Sequence, residues 1–220
     1  MRFPRNLILS AVAVSISLSP AAVGKTKEFV VPEVHPAATY PAHDEHKDER
    51  VTIAIDPYDT PEKEATFSVP YREHDLLPLR LIVTNDGDEP ITFTDLQVQL
   101  ITAHRTKITA ATNDDLYRRI SNPQRNDRPR VNPLPWPRGK MKGTVSQQVR
   151  DELDRAQFAA RAVEPHSTRA GFVFFDLEGI STPLTGAVVD VTGAHNAKGG
   201  ELLYFEIPLD SYLNPESGPK

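Results

Sequence analysis

The 220-residue chain contains no cysteine, and this absence excludes several kinds of protein. Without thiols the chain can form neither a disulfide framework nor a thiolate metal site, and it has no cysteine nucleophile and no lipidated cysteine. Only two methionines are present, which disfavours a methionine-rich copper site. The apolar core alone must therefore hold the folded chain together.

The chain also lacks an excess of positive charge and has few long apolar runs. The net charge is −5, whereas a nucleic-acid-binding domain usually carries a basic footprint, so we predict no nucleic-acid partner. The one long apolar run, residues 7–18, is shorter than the roughly 20 residues that a membrane-spanning helix needs.

This apolar run predicts a signal peptide instead. A short cationic segment, residues 1–6, precedes it, and the small residues 22–24 follow it as a cleavage site would. We therefore place a signal peptide at residues 1–24. The mature protein is expected to be exported, periplasmic or extracellular, soluble, not a lipoprotein, and without a transmembrane segment.

The rest of the chain combines period-two patterns with many prolines, twenty against eleven glycines. This combination is typical of short strands joined by turns. We expect the strand at 171–177 to be central, because both of its faces are apolar, and Pro78 to mark the start or an edge of its strand. The alternation predicts strands at residues 51–55, 65–69, 77–83, 91–100, 171–177, 187–191 and 202–207.

Two local features refine this pattern. Asp86 and Gly87 lie between two alternating runs, which predicts a β-hairpin. A change of phase predicts a bulge or corner at Thr94 and Asp95. Because the strands follow one another without alternating helices, the predicted fold is mainly β, an antiparallel sandwich over residues 51–210, with residues 211–220 as a C-terminal tail.

One insert interrupts the strands at about residues 112–162. A short capped helix is predicted at 113–120, with Leu116 facing inward. Thr144 and Gln147 form a capping-box pattern, which predicts a second helix that ends before Pro165.

Three stretches of the sequence resemble a known family. The stretches LRLIVTNDGDEPITFTDLQVQLI, EPHSTRAGFVFFDLEG and ELLYFEIPL are similar to exported bacterial immunoglobulin-like sandwiches of uncharacterised function. The resemblance covers about residues 75–110 and 163–210, and it implies an immunoglobulin-like sandwich. It implies no catalytic residues, because its motifs are turns and core positions.

Residues 25–50 form a polar N-terminal arm, in which His43 and His46 are weak candidates for a metal-binding pair. Two imidazoles three residues apart, beside carboxylates, could bind a divalent ion, with His35 as a further ligand. The arm has no apolar face to fix these side chains, and ordering a loose loop costs conformational entropy. We therefore interpret the arm as a solvated linker, and we predict no metal and no other cofactor.

The most unusual stretch runs from residue 118 to residue 142 and holds eight basic residues and one acidic residue. Such asymmetry in an acidic protein suggests contact with an anionic envelope component or another protein. The simpler interpretation, which we favour, is a loop held by its tryptophan with its cations in water. The candidate partner-binding residues are Arg118, Arg119, Arg125, Arg128, Arg130, Trp136, Arg138, Lys140 and Lys142.

No motif predicts catalysis. The sequence has no nucleophile elbow, no zinc-protease helix and no phosphate-binding glycine loop. The polar stretch 71–75 places acidic and basic side chains side by side, but adjacency in sequence is not active-site geometry. The sequence thus predicts a non-catalytic exported binding or accessory module of unknown ligand.

Two alternatives to this prediction stay open. One is a periplasmic metal-binding protein or metal-dependent enzyme that uses His43 and His46. The other is capture of a peptide or strand at an exposed sheet edge, where main-chain hydrogen bonds would supply the affinity.

The basic stretch generates a first prediction. Replacing Arg125, Arg128 and Arg130 with serine should abolish cosedimentation with vesicles of anionic phospholipid and leave the melting temperature unchanged, as is usual for exposed charges. Binding by the unmodified chain should weaken as salt rises, because charges are screened over about 8 Å at physiological ionic strength. Equal binding by both proteins would exclude these arginines as the contact.

Overall fold

The computed structural model describes residues 28–121, 145–202 and 204–215. The helices within these ranges are α1 (Pro61–Glu64), α2 (Asn113–Ser121), α3 (Gln147–Ala156) and α4 (Asp210–Leu213). The strands are β1 (His43–His46), β2 (Val51–Pro57), β3 (Leu76–Asn85), β4 (Ile91–Thr92), β5 (Gln97–Ile101), β6 (Lys107–Thr109), β7 (Ala162–Val163), β8 (Ser167–Asp176), β9 (Val188–Thr192) and β10 (Phe205–Pro208).

The strands form two four-stranded antiparallel sheets and one small ribbon. The first sheet has the order β1-β2-β3-β8, the second has the order β10-β9-β5-β6, and β4 pairs with β7. The prediction of a mainly β, antiparallel fold is confirmed, and the described residues contain four short α-helices where one or two in an insert were expected. No helix in the described part of the chain is long and apolar enough to cross a membrane.

The two large sheets share one apolar core. Leu77, Leu79 and Leu81 on one face of β3 belong to the same buried cluster as Val189 of β9 and Phe205 of β10. The period-two pattern of residues 77–83 correctly identified this face. Burying such a side chain stabilises the fold by about 1.5–3 kcal/mol, so this cluster is a main source of stability.

The opposite face of the first sheet carries a second, aromatic core. Phe172 of β8 packs edge to face against Phe67, with ring centroids 4.9 Å apart, and against Tyr58 at 4.7 Å. Leu116 of α2 and Leu153 of α3 are fully buried in this cluster. The two helices of the predicted insert therefore cover the outer face of the first sheet.

The interpretation of residues 25–50 as a solvated linker is wrong for the part that the structure describes. β1 pairs with β2 over four residues, Phe29 stacks on Phe67 at 5.4 Å, and Ala37 and Ala42 are fully buried. Backbone pairing and one aromatic anchor hold the arm, and neither leaves a period-two apolar pattern in the sequence.

The predicted hairpin at Asp86 and Gly87 is also wrong, because β3 and β4 belong to different sheets. The fully buried Asn85 organises this connection. Its side-chain amide donates hydrogen bonds to the carbonyls of Glu89 and Val163, and its oxygen accepts one from the Gly87 N–H. A side chain that bonds the local backbone in this way favours a loop over a two-residue turn.

The predicted corner at Thr94 and Asp95 is confirmed. β4 ends at Thr92 and β5 begins at Gln97, with a bend between them. The change of phase in the apolar pattern therefore marks the point where the chain leaves the ribbon and enters the second sheet.

Residues 65–69 form turns and bends rather than the predicted strand. Phe67 and Val69 are still buried, in the aromatic core. The Ser68 N–H donates to Glu152 of α3 at 2.9 Å. The alternating apolar residues of this short run therefore mark the two side chains buried in the aromatic core, and not a strand that pairs with a neighbour.

β8 lies at an edge of the first sheet and is not the central strand that its apolar faces predicted. Its outer edge is covered by other backbone, since the Phe158 N–H donates to the Phe172 carbonyl and the Ala111 N–H to the Phe174 carbonyl. A Cβ on Gly171 would lie 2.4 Å from the Phe158 Cα. Glycine is therefore required for this close approach. Pro78, predicted to start its strand or to mark an edge, is instead the third residue of β3, which lies between β2 and β8.

The helix predicted at 113–120 is confirmed by α2, with Leu116 buried. The second predicted helix is shorter than expected: α3 begins after Ser146, whose hydroxyl caps the Val149 N–H, and it ends at Ala156. Thr144, the predicted cap, lies outside the described residues. The helix ends early because the backbone at Phe158 turns to pair with β8.

Glu152 of α3 generates a second prediction. Its carboxylate is buried and accepts hydrogen bonds from the Tyr71 hydroxyl and the Ser68 N–H. Glu152→Ala should lower the free energy of unfolding by about 2–4 kcal/mol in urea titrations, because each orphaned buried donor costs about 1–3 kcal/mol. Asp154→Ala, an exposed change on the same helix, is the control. Equal effects of the two variants would contradict this role.

Candidate ligand cleft

An open cleft of about 360 Å³ lies at the end of the first sheet where β3 begins and β8 ends. Its floor contains Leu76 and Leu77 at the start of β3 and Leu184 from the loop after β8. The volume falls within the range of small-molecule sites, roughly 300–1,000 Å³. Because sheet residues form the floor and loops form the walls, a rigid base supports the polar groups.

The polar walls come from three parts of the chain: the segment after β2, the turn before β3 and the loop between β8 and β9. Carboxylates accept hydrogen bonds, a guanidinium only donates them, and hydroxyls do both. The cleft therefore offers donors and acceptors and carries charges of both signs. The polar lining residues are Asp59, Arg72, Asp75, Ser181, Thr182 and Thr185.

Asp75 is fixed by its own backbone. It ends the 3-10 turn Tyr71–His74 in the left-handed conformation, with φ of 57°, which aspartate and asparagine tolerate better than most residues. Its carbonyl accepts a hydrogen bond from the Leu177 N–H at 2.8 Å. This bond joins the start of β3 to the end of β8 and closes one side of the cleft.

Tyr212 fixes the carboxylate of Asp59, and Lys63 lies against the Tyr212 ring. The Tyr212 hydroxyl donates to the Asp59 carboxylate at 2.7 Å. The Lys63 ammonium lies 4.5 Å from the centre of the Tyr212 ring and donates to the Asp56 carboxylate at 2.5 Å and to the Pro57 carbonyl at 2.9 Å. On the cleft side, the Arg72 guanidinium donates to the Asp59 carbonyl.

Two of the predicted partner-binding arginines are described, and both pair within the protein. Arg118 pairs with Asp115. Arg119 donates to the Asp176 carboxylate at 2.7 and 2.6 Å and also to Glu178, and only 15% of its side chain is exposed. These bonds raise the pKa of the Arg119 guanidinium above its ordinary value.

The structure therefore corrects the role of Arg119, which fastens α2 to the end of β8 and does not present a free cation. The remaining candidates lie outside the described residues: Arg125, Arg128, Arg130, Trp136, Arg138, Lys140 and Lys142.

The structure does not bring His43 and His46 together. Three residues apart on one strand, they lie on opposite faces of β1. The His43 ring bonds the Tyr40 carbonyl, and the His46 ring stacks on Phe205 with centroids 3.8 Å apart. No group of three or more potential metal-binding side chains occurs in the ranges that the structure describes.

The stretch 71–75, which was not predicted to form a site, contributes Arg72 and Asp75 to the cleft. Its Tyr71 is instead fully buried against Glu152. Sequence reasoning missed Asp59 and the hydroxyls of the loop after β8, because polar loop residues carry no local signal of a shared site.

No family model, no curated protein and no solved structure matches this chain.

Tyr212 generates a third prediction. Burial, and then the hydrogen bond to Asp59, raise the pKa of its hydroxyl above the ordinary value. Above about pH 10, where a free tyrosine ionises, the unfolded chain loses this proton while the folded chain keeps it, so stability falls as pH rises. Urea midpoints of Tyr212→Phe should therefore fall less steeply above pH 10 than those of the wild type. Tyr204→Phe, at an exposed tyrosine, should behave like the wild type. A Tyr212→Phe slope equal to the wild-type slope would refute this assignment.

Proposed function

We propose that the protein is a non-catalytic, exported binding module of the immunoglobulin-like class, which takes up its ligand in the cleft. The observation that carries this proposal is the convergence of polar side chains from three chain segments over a leucine floor. Groups that are held in place before binding lose little entropy when a ligand arrives. Export would be tested by the mass of the mature protein, which should lack residues 1–24.

The strand order supports the immunoglobulin-like part of this proposal. In that class one sheet contains strands A, B, E and D, and the other contains strands C, F and G. Equating β2, β3 and β8 with A, B and E, and β5, β9 and β10 with C, F and G, reproduces the order of these six strands, while D has no counterpart in the described residues. β1 then extends the first sheet beside A, and β6 extends the second beside C.

The sheet edges favour binding in the cleft over strand capture. β1 and β6, the edge strands on opposite sides of the fold, have four and three residues and carry charged side chains. The edge of β10 is partly occupied, because the Glu206 N–H donates to the Asp44 carboxylate at 3.0 Å. Short, charged or covered edges disfavour the addition of a strand.

A second proposed contact is with an anionic partner through the basic residues between 118 and 142. The charge asymmetry of the sequence supports it. Since Arg118 and Arg119 are paired within the protein, this contact depends on the six cations further along, three of which the serine substitutions described above remove.

The cleft generates a fourth prediction. A fraction of envelope extract that contains the ligand should raise the melting temperature of the wild type by about 2–4 °C for each 1 kcal/mol of binding free energy at that concentration. Thr185→Trp, which places an indole at the mouth of the cleft, should abolish the increase. The melting temperature would be measured by calorimetry with the dialysable fraction and with the polymeric fraction of the envelope extract.

Thr109→Trp is the matched control, because Thr109 is an exposed threonine on β6 and does not line the cleft. It should respond like the wild type. If no fraction raises the melting temperature, or if Thr185→Trp responds as strongly as Thr109→Trp, the cleft is not the binding site.

A further inference from the structure

The residues that line the cleft indicate the chemical class of its ligand. This inference rests on the proposed function. We propose that the cleft binds a neutral, polyhydroxylated ligand, a sugar ring either free or at the end of a polysaccharide, rather than an ion of either sign.

The first argument is the mixture of charges. An anion bound by Arg72 would also face the carboxylates of Asp59 and Asp75, and a cation bound by those carboxylates would face Arg72. Either ion would meet a like charge in a space of about 360 Å³, which is unfavourable at such short range. A hydroxyl group can donate to a carboxylate and accept from a guanidinium, so it suits both kinds of wall.

The second argument is that the acceptors are already in place and have capacity left. One oxygen of Asp59 accepts from Tyr212, and the other can receive a ligand hydroxyl. The half-buried Asp75 carboxylate has no hydrogen-bond partner within the described part of the chain. The backbone bond from Leu177 holds Asp75 in position without using that carboxylate.

The third argument is the shape of the polar and apolar surfaces. The floor contains the buried Leu76, Leu77 and Leu184. The accessible apolar side chains of the lining are Leu177, Ile180, Pro183 and Leu213, and the rim carries the hydroxyls of Ser181, Thr182 and Thr185. A sugar ring has an apolar C–H face and a polar edge of hydroxyls, so its face can contact the accessible apolar side chains while its edge bonds the rim.

The experiment is a set of ligand-observed NMR titrations of the purified protein. The neutral probes are the methyl glycosides of glucose, galactose, mannose and N-acetylglucosamine, and soluble dextran, which separates free sugars from polymer ends. The charged probes are inorganic phosphate and N-acetyl-lysine methylamide. At least one neutral probe should bind. Both charged probes should bind at least about tenfold more weakly, which is a difference of about 1.4 kcal/mol in binding free energy.

Asp75→Asn should weaken binding of the neutral probe about tenfold, because asparagine keeps the left-handed backbone and removes the charged acceptor. Asp190→Asn is the matched control, since Asp190 lies between the core-facing Val189 and Val191 on the other face of β9. It should leave binding unchanged.

Two results would overturn the inference. One is that phosphate or the lysine derivative binds more tightly than the neutral probes and that Thr185→Trp abolishes this binding. The other is that Asp75→Asn and Asp190→Asn have equal effects on the binding of a neutral probe. If envelope fractions raise the melting temperature and no neutral probe binds, the sugar inference fails while the proposed binding function stands. If neither envelope fractions nor probes bind, both fail.

Discussion

The burial of β3 on both faces is the constraint on which the rest of the structure depends. All ten residues of this strand are buried. One face packs against the second sheet through Leu77, Leu79 and Leu81, and the other face needs a separate cover. Each buried aliphatic side chain contributes about 1.5–3 kcal/mol only if water is excluded. In a chain without disulfides, two covering layers are therefore a condition of stability.

The N-terminal arm and the helices of the insert provide the second cover, and buried polar groups fasten them. Arg80 on β3 is only 4% exposed, and its guanidinium donates to the carbonyl of Pro32 in the arm at 2.7 Å. Glu152 of α3 is 1% exposed and is bonded by Tyr71. A buried charge without partners is strongly unfavourable, so these hydrogen bonds are a condition for burying Arg80 and Glu152. Loss of either covering segment would break them and expose the apolar face.

The cleft is a consequence of the same architecture. β3 begins and β8 ends at the same end of the first sheet. The turn before β3 and the loop after β8 therefore lie on either side of Leu76 and Leu77, and the cleft is the space between them. The left-handed backbone of Asp75 and the bond from Tyr212 to Asp59 hold these loops in place. Stability and the proposed binding function are thus connected through β3, whose first two residues form both core and cleft floor.

The sequence by itself determined the features that depend on neighbouring residues: the core face of β3, the corner at Thr94, and α2 with its buried Leu116. These follow from periodicities of two and 3.6, which a short window contains. Tertiary structure alone decided that Asn85 leads into a different sheet, that polar residues of the arm form a strand, and that Asp59, Asp75 and the loop after β8 meet at one cleft. In each of these cases the deciding contact joins residues that are far apart in the chain. Such a contact is made by backbone hydrogen bonds or polar side chains, and the sequence around each residue does not show whether the contact forms.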